Sequence, residues 1–534
     1  MLFRKAARLE RSFGRIPDIE YYAGDMECIK SFYDSCRAEE RDPFYIDDAT
    51  WNDLDMDRLY QRINTGLSTA GEQYLYYMLR RPMDKQQFNH QARLIDMVGS
   101  EQKTRLQLQK ILLRIGNYRA VDVGCFMRRT GDSSFWLILY SLLAVLLPVS
   151  VILTVTCGLP GTFMLIACLI ANGLMHELRT HRCEREIKTA NYCVSLVTSL
   201  NKIRKMKNPE LDTYLSGVYP HLDKTKSILR IGSVASPMQN DVMGMLMTVL
   251  LIDLITFELL KKRLAKHQDD FARIHEAIGQ LDAAIAITSF RKSMKCWCIP
   301  AIDFDAKHAF IHAQQVVHPM MDKPVPNDVQ LDCPLLVTGA NASGKSTYLK
   351  ASVLCALLAQ TICTAPAAAY HASAFRLYTS MAITDNLKDG ESYYISEIKS
   401  LKRILDASDT GWPVLCAIDE VLRGTNTIER IAASAEILRA LSRKNALCLV
   451  ATHDAELCTL SGQAYDLAHF QETITEHDIQ FDYQIRPGMA VTRNAINLLR
   501  LIGFDSGIVE AAHRRANGYI QTGQWSQHTA QMSD

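Results

Sequence analysis

The sequence predicts an α + α/β chain: a helical first half interrupted by an apolar hairpin, then an α/β domain with a largely parallel sheet. Three observations predict it. Residues 50–125, 177–210 and 240–294 read as helices with few breakers. Residues 133–175 contain no Asp, Glu, Lys, Arg or His. From about residue 306, short β-like runs such as "CPLLVTG", "PVLCAID" and "ALCLVAT" alternate with helical stretches.

At 534 residues the chain is long enough for several domains with their own cores. Apolar residues at 48% and charged residues at 22% are ordinary for a folded protein. A net charge of +1 excludes a global polycation, so any contact with nucleic acid falls to local patches. The 15 cysteines are odd in number and scattered, the pattern of reduced intracellular thiols rather than a disulfide framework. Cys296 and Cys298 form a C-x-C pair, but no second pair stands at zinc spacing and no zinc site is expected.

The N-terminus, "MLFRKAARLERSFGRIPD", is basic and amphipathic and lacks the apolar core of a secretory signal. A solvated helix is the preferred reading over one lying on an anionic membrane face. "LDMDRLYQRIN" and "GEQYLYYMLRR" read as amphipathic helices. Residues 135–157 then supply one membrane span, for which roughly 20 apolar residues suffice. Gly158, Pro160 and Gly161 mark a tight turn, and residues 162–175 supply a shorter second span. A buried hairpin in a soluble core is disfavoured by the length and uniformity of the run. Arg128 and Arg129 precede it, and Arg179, Arg182 and Arg185 follow it. The positive-inside rule then puts both ends, both termini and the C-terminal domain in the cytoplasm, at an inner or plasma membrane.

"MGMLMTVLLIDLITFELLKKRL" is the most apolar of the later helices. Asp253 and Glu258 within it argue for one packed helix rather than a third span. Lys261, Lys262, Arg263 and Lys266 at its end, and Lys202, Arg204, Lys205 and Lys207 upstream, are basic clusters. Phosphate contact needs such clusters, but a solvated helix C-terminus favoured by the helix dipole also produces them.

"GANASGKS", residues 339–346, matches the phosphate-loop pattern G-x-x-x-x-G-K-[ST] between the strand "PLLVT" and the helix "STYLKASVLCALLAQ". Glycines let backbone N–H groups curl around phosphates, and the helix N-terminus adds its dipole. Gly339, Asn341, Gly344, Lys345, Ser346 and Thr347 are the expected nucleotide cradle. Lys345 is expected at the β and γ phosphates of ATP, and the Ser346 hydroxyl on Mg2+. "PVLCAIDE" ends in Asp419, expected in the Mg2+ shell, and Glu420, expected to polarise the attacking water. "LCLVATHD" delivers His453 to the same edge as a candidate sensor of the γ phosphate. Three elements in this order imply an ATPase.

These stretches resemble the ATPase domain of the MutS family of DNA mismatch-repair proteins, a phosphate-loop domain of the ABC superfamily. "GANASGKSTYL" is similar to that family's phosphate loop, "IDEVLRGTNT" to its Walker B and D-loop signature, and "ATHDAEL" to its switch histidine. "TAPAAAYHASAFRLYTSMAITDNLKDGESYYISEI" resembles the segment holding its trans-acting serine, Ser392 here, with Glu397 following. His318–Pro319 and "VPND" fit the run-up to the loop. "IDDATWNDLDM", "STAGEQYLYYMLRRP" and "RLIDMV" resemble the start of the family's helical core. The resemblance implies a dimer in which one subunit supplies Lys345, Asp419 and Glu420 and the other supplies Ser392, with helical arms that grip DNA.

The chain departs from the family at Leu422 and Arg430, where glycine is usual, and at Ala340 and Ala342–Ser343 in the loop. The only F-x-E, Phe470 to Glu472, falls in the ATPase domain. A mismatch-reading domain is therefore not expected within this chain. The expected divisions are 1–132 helical, 133–176 membrane hairpin, 177–305 helical lever, 306–520 ATPase domain and 521–534 polar tail. Two readings follow: a membrane-tethered ATPase that binds DNA as a homodimer, or one acting on a repair or membrane protein partner without mismatch recognition. A transporter subunit is disfavoured by order, because "LSGQ" at 460–463 follows His453 instead of preceding Asp419, and by the presence of only two spans.

Overall fold

The computed structural model describes residues 9–39, 44–117, 134–235, 242–340, 343–381, 393–423, 425–474, 479–489 and 495–525. The chain divides into two compact units. The first comprises residues 1–45 and 58–295, and the second comprises 46–57 and 296–534.

The first unit is helical among its described residues. In chain order its helices are α1 (Ala23–Glu39), then, after α2 (Asp48–Asp53) of the second unit, α3 (Met56–Ile63), α4 (Thr69–Arg80), α5 (Lys85–Ser100) and α6 (Gln102–Leu112). The apolar pair α7 (Ser134–Cys157) and α8 (Leu159–Arg182) follows. The unit ends with α9 (Glu184–Arg204), α10 (Pro209–Leu215), α11 (Tyr219–Ala235), α12 (Val242–Val249), α13 (Ile252–Lys266) and α14 (Gln268–Ser293).

Its core is the pairing of α4 with α14. The carboxylate of Asp282 accepts from the backbone N–H groups of Leu67 and Ser68 and from the Ser68 hydroxyl, so it ties down the N-terminus of α4. Gly71 permits the approach, since a Cβ there would stand 2.3 Å from Asp282 Oδ2. Ser68 itself caps α4 through the Gly71 N–H.

α8 runs 24 residues, as α7 does, but its last two turns hold His176, Glu177, Arg179, His181 and Arg182, so its uncharged stretch is the shorter one. Both helices are long and apolar enough to cross a membrane, with mean hydropathy 2.5 and 1.5 over their most apolar stretches. Their turn is made by Gly158, at φ 68°, and by Pro160 in the first turn of α8. One sequence expectation is corrected: the stretch read as one packed helix is two, because Leu251 adopts φ 53° between α12 and α13.

The second unit carries two sheets. The four-stranded sheet has the order β1 (Ala301–Asp303), β5 (Ala369–Ser373), β2 (Ile311–Val316) and β3 (Asn327–Leu331). The six-stranded sheet has the order β10 (Ile479–Pro487), β9 (Asp466–Ile474), β4 (Leu335–Thr338), β8 (Ala446–Ala451), β7 (Val414–Asp419) and β6 (Arg376–Ser380). It is parallel except at β10. β4, β7 and β8 are near-continuous apolar runs, as strands covered on both faces require.

Helices α15 (Lys345–Ile362), α16 (Tyr393–Ser408), α17 (Thr427–Ser442) and α18 (Ala455–Leu460) connect the strands, and α19 (Ala495–Ile502) and α20 (Ser506–Thr522) follow β10. The open edge of β6 is covered by α2. Asp53 accepts from the Thr379 hydroxyl at 2.6 Å and the Met381 N–H at 3.0 Å, and the Thr379 N–H donates to Thr50 Oγ1.

Candidate functional site

Parallel strands deliver their following loops to one edge, where ligands of open α/β sheets bind. β4 runs into the Gly339 loop, β7 ends on Asp419, and β8 runs into Thr452 and His453. Register ties these ends together: Asp419 lies opposite Ala451, and Ala451 opposite Val337. Beyond the strands the Glu420 N–H donates to the Ala451 carbonyl and the Thr452 N–H to the Val337 carbonyl.

The loop needs its glycines. Gly339 and Gly344 sit at φ 141° and 108°, and a Cβ on Gly339 would stand 2.9 Å from the Phe470 carbonyl. Phe470 packs edge-on against Tyr348 of α15 at 5.9 Å. The Phe470–Glu472 stretch thus lies beneath the phosphate loop. Lys345 is buried and donates to the Gly339 and Ala340 carbonyls at 2.8 Å each. Burial pushes its ammonium down from the usual lysine range, while Asp419, Glu420 and Glu472 oppose that shift. Ser346 and Thr347 are exposed on the first turn of α15. The Ser343 hydroxyl is buried without a hydrogen-bond partner among the described residues.

Glu420 is held from two sides. Oε1 lies 2.6 Å from His453 Nε2, and Oε2 2.6 Å from Arg423 Nε. Arg423 also donates to the Asp419 carbonyl at 3.1 Å. The turn carrying Glu420 is strained, with Glu420 at φ 61° and Leu422 at φ 58°. Buried Glu397 on α16 clamps it: Oε1 accepts from the Leu422 N–H at 2.6 Å and the Arg423 N–H at 3.4 Å. Burial raises the Glu397 carboxyl and the neighbouring Glu420 charge adds to this, whereas the two N–H donors and Arg423 lower it. Its Oε2 has no hydrogen-bond partner among the described residues.

Gly339, Gly344, Lys345, Ser346, Thr347, Asp419, Glu420 and His453 therefore share one sheet edge. Asn341 and Ser392 lie outside the described residues. Sequence reasoning assigned no role to Arg423, Glu472 or Glu397. The signal for Glu397 was Leu422, a leucine where the resembled family has glycine, since the position is left-handed. Arg430, the other departure, forms a two-pronged pair with Asp454, next to His453, at 3.1 and 2.7 Å.

The fold and this edge define a phosphate-loop α/β domain. Residues 335–519 match the MutS domain V family. The chain is 28% identical over 274 residues to the DNA mismatch repair protein MutS of Carboxydothermus hydrogenoformans, covering 48% of this chain and 31% of that protein. It is 28% identical over 275 residues to the protein of that name from Natronomonas pharaonis, covering 49% and 31%. With the one from Synechococcus elongatus it shares 30% over 298 residues, covering 51% and 33%. About half of this chain is thus similar to MutS proteins, and the match spans about a third of the length of these relatives.

Proposed function

We propose that the chain is an ATP-hydrolysing MutS-type protein whose helical unit is anchored in a membrane by α7 and α8. The observation that carries the ATPase reading is the convergence of Lys345, Asp419, Glu420 and His453 on one sheet edge, with Glu420 and His453 2.6 Å apart. The donor set fits a Mg2+-bound triphosphate. A glycine loop that a Cβ would fill, an exposed Ser346 hydroxyl and a carboxylate at a strand end are what Mg2+ with phosphates asks of a protein. Such a site needs no cluster of three side-chain ligands, and none occurs among the described residues. Ser346 and Asp419 would hold Mg2+, which when bound neutralises charge on the transferring phosphate.

Each protein group has a defined task. Lys345 leaves the two loop carbonyls for phosphate oxygens, and burial strengthens that contact. Glu420 orients the attacking water and takes its proton, and His453 holds the carboxylate toward it. Ser392 of a second subunit completes the site, which makes dimerisation part of turnover.

The test is MgATP turnover by the purified full chain with Glu420→Gln. We expect ATP binding retained and turnover lost; unchanged turnover would refute the role of Glu420. The MutS relatives are DNA mismatch repair proteins, and DNA is the proposed substrate of the helical arms. Duplex binding across a salt series, with and without ATP, decides this, because phosphate contacts release counterions. A salt slope near zero would leave the second reading, an anchored ATPase acting on a membrane or protein partner. The exposed apolar faces of α7 and α8 favour the anchor in either case.

A further inference from the structure

Residues 242–252 read VMGMLMTVLLI, eleven positions without a charge. That is too short to span a bilayer, and such a length fits either a buried core segment or a re-entrant one. Exposure decides between them. Met245 is 76% and Leu246 50% exposed on α12, and α12 packs on α8. The neighbouring hairpin helices are themselves exposed and apolar at Ile152, Phe163, Ile166 and Ile170.

The backbone points the same way. Helical structure breaks at Leu251, which leaves carbonyls at the end of α12 without intrahelical donors. In a lipid setting non-helical backbone is tolerated only where protein satisfies it. Fully buried Asn172 of α8 does so, donating from Nδ2 to the Val249 carbonyl at 2.9 Å. Charged pairs begin only one turn further along α8. His176 meets Asp253 at 2.6 Å, and Arg179 donates to the Tyr140 hydroxyl at 2.6 Å and lies 4.0 Å over the Trp136 ring. An aromatic and charged belt of this kind marks the membrane–water boundary. α12 approaches α8 at Asn172, on the apolar side of that belt.

We propose that residues 242–251 are a third, shallow membrane element. Met245 and Leu246 face lipid acyl chains, and Asn172 docks the element on the hairpin by closing its broken end. The inference rests on the membrane reading of α7 and α8.

The test uses the full chain in phosphatidylethanolamine/phosphatidylglycerol nanodiscs, with a diazirine analogue of methionine or leucine at position 245, at 152 in the hairpin, or at 259 beyond the belt. Mass spectrometry reads the adducts. Lipid adducts at 245 and 152 but not at 259 are expected. Lipid at 152 with only water or protein adducts at 245 overturns this inference and leaves the hairpin standing; a protein adduct would identify a second chain as the occupant. No lipid at either position overturns both readings. Asn172→Leu should lower the lipid yield at 245 several-fold and leave 152 unchanged, and an equal yield at 245 would refute the docking role.

Discussion

Two leucines sit in the left-handed region in different parts of this molecule, and each is secured from a neighbouring helix. Leu422 follows the Asp419–Glu420 strand end, and Glu397 accepts its N–H. Leu251 ends α12, and Asn172 donates to the Val249 carbonyl just before it. The first clamp satisfies donors and uses a carboxylate acceptor beside an edge where Lys345 and Arg423 lie among Asp419, Glu420 and Glu472. The second satisfies an acceptor and uses a neutral amide beside exposed apolar helices. The chemistry of the clamp follows from which backbone group is orphaned and from the surrounding medium. The first break aims a carboxylate; the second ends a helix.

The largest test of this contrast lies at the phosphate edge. If the Leu422 turn exists to aim Glu420, removing the carboxylate should cost far more activity than stability. Glu420→Gln should lower ATP turnover by about 10²–10⁴-fold, and Lys345→Ala should weaken nucleotide binding as well. Thermal midpoints should move little in Glu420→Gln, whose amide keeps the shape of the side chain. A variant that unfolds before it loses turnover would show that the turn serves the fold rather than the chemistry.

Glu397 comes next. Glu397→Ala strands the Leu422 N–H in a buried turn and should cost about 1–3 kcal/mol, with kcat falling more than KM rises. The clamp is also pH-dependent. The folded carboxyl is raised above its unfolded value, so its contribution is complete below the unfolded carboxylate pKa and declines as pH rises through the folded one. Stability measured against pH should therefore carry a downward slope on this limb that Glu397→Gln removes. An identical slope in the two proteins would refute it. Asn172 carries no proton to lose, so its clamp should show no such slope.

Much of the second unit was legible in the sequence because its signals are local. A glycine loop between a strand and a helix, and apolar strands ending in Asp419 or Thr452, announce a parallel sheet and its ligand-binding edge. What was not legible depends on distant partners. Nothing around residues 46–57 says that Thr50 and Asp53 cover the β6 edge, because their partners lie more than 300 positions away. The break at Leu251 was hidden because leucine is a good helix former and no glycine or proline marks the site. Asp253 and Glu258, both in α13, suggested one packed helix; the exposure of Met245 and Leu246 on α12 is seen only in the structure.

The two breaks share one backbone prediction. Leu422 is 3% exposed and Leu251 fully buried, so truncating either loses packing. Alanine keeps the strain of the left-handed backbone, whereas glycine releases it. The Gly variant should therefore be the more stable of each pair by up to about 1 kcal/mol, the reverse of their order inside helices. Equilibrium unfolding of the four variants reads it directly. An alanine variant more stable than its glycine counterpart at either site would mean that the left-handed turn is not kept there.

The smallest effect belongs to Asn172. Hydrogen bonds between membrane helices average about 0.6 kcal/mol, because the separated helices find other partners. Asn172→Leu should therefore cost little in global unfolding, well under the Glu397→Ala loss, while it frees α12 locally. Hydrogen exchange at residues 242–251 in lipid is the sensitive readout, because it reports local opening where a global midpoint does not. Faster exchange confined to that segment, with α7 and α8 still protected, is the expected result. Equal exchange in the two proteins would mean that the Val249 carbonyl does not need its amide, and the parallel with Glu397 would then be only geometric.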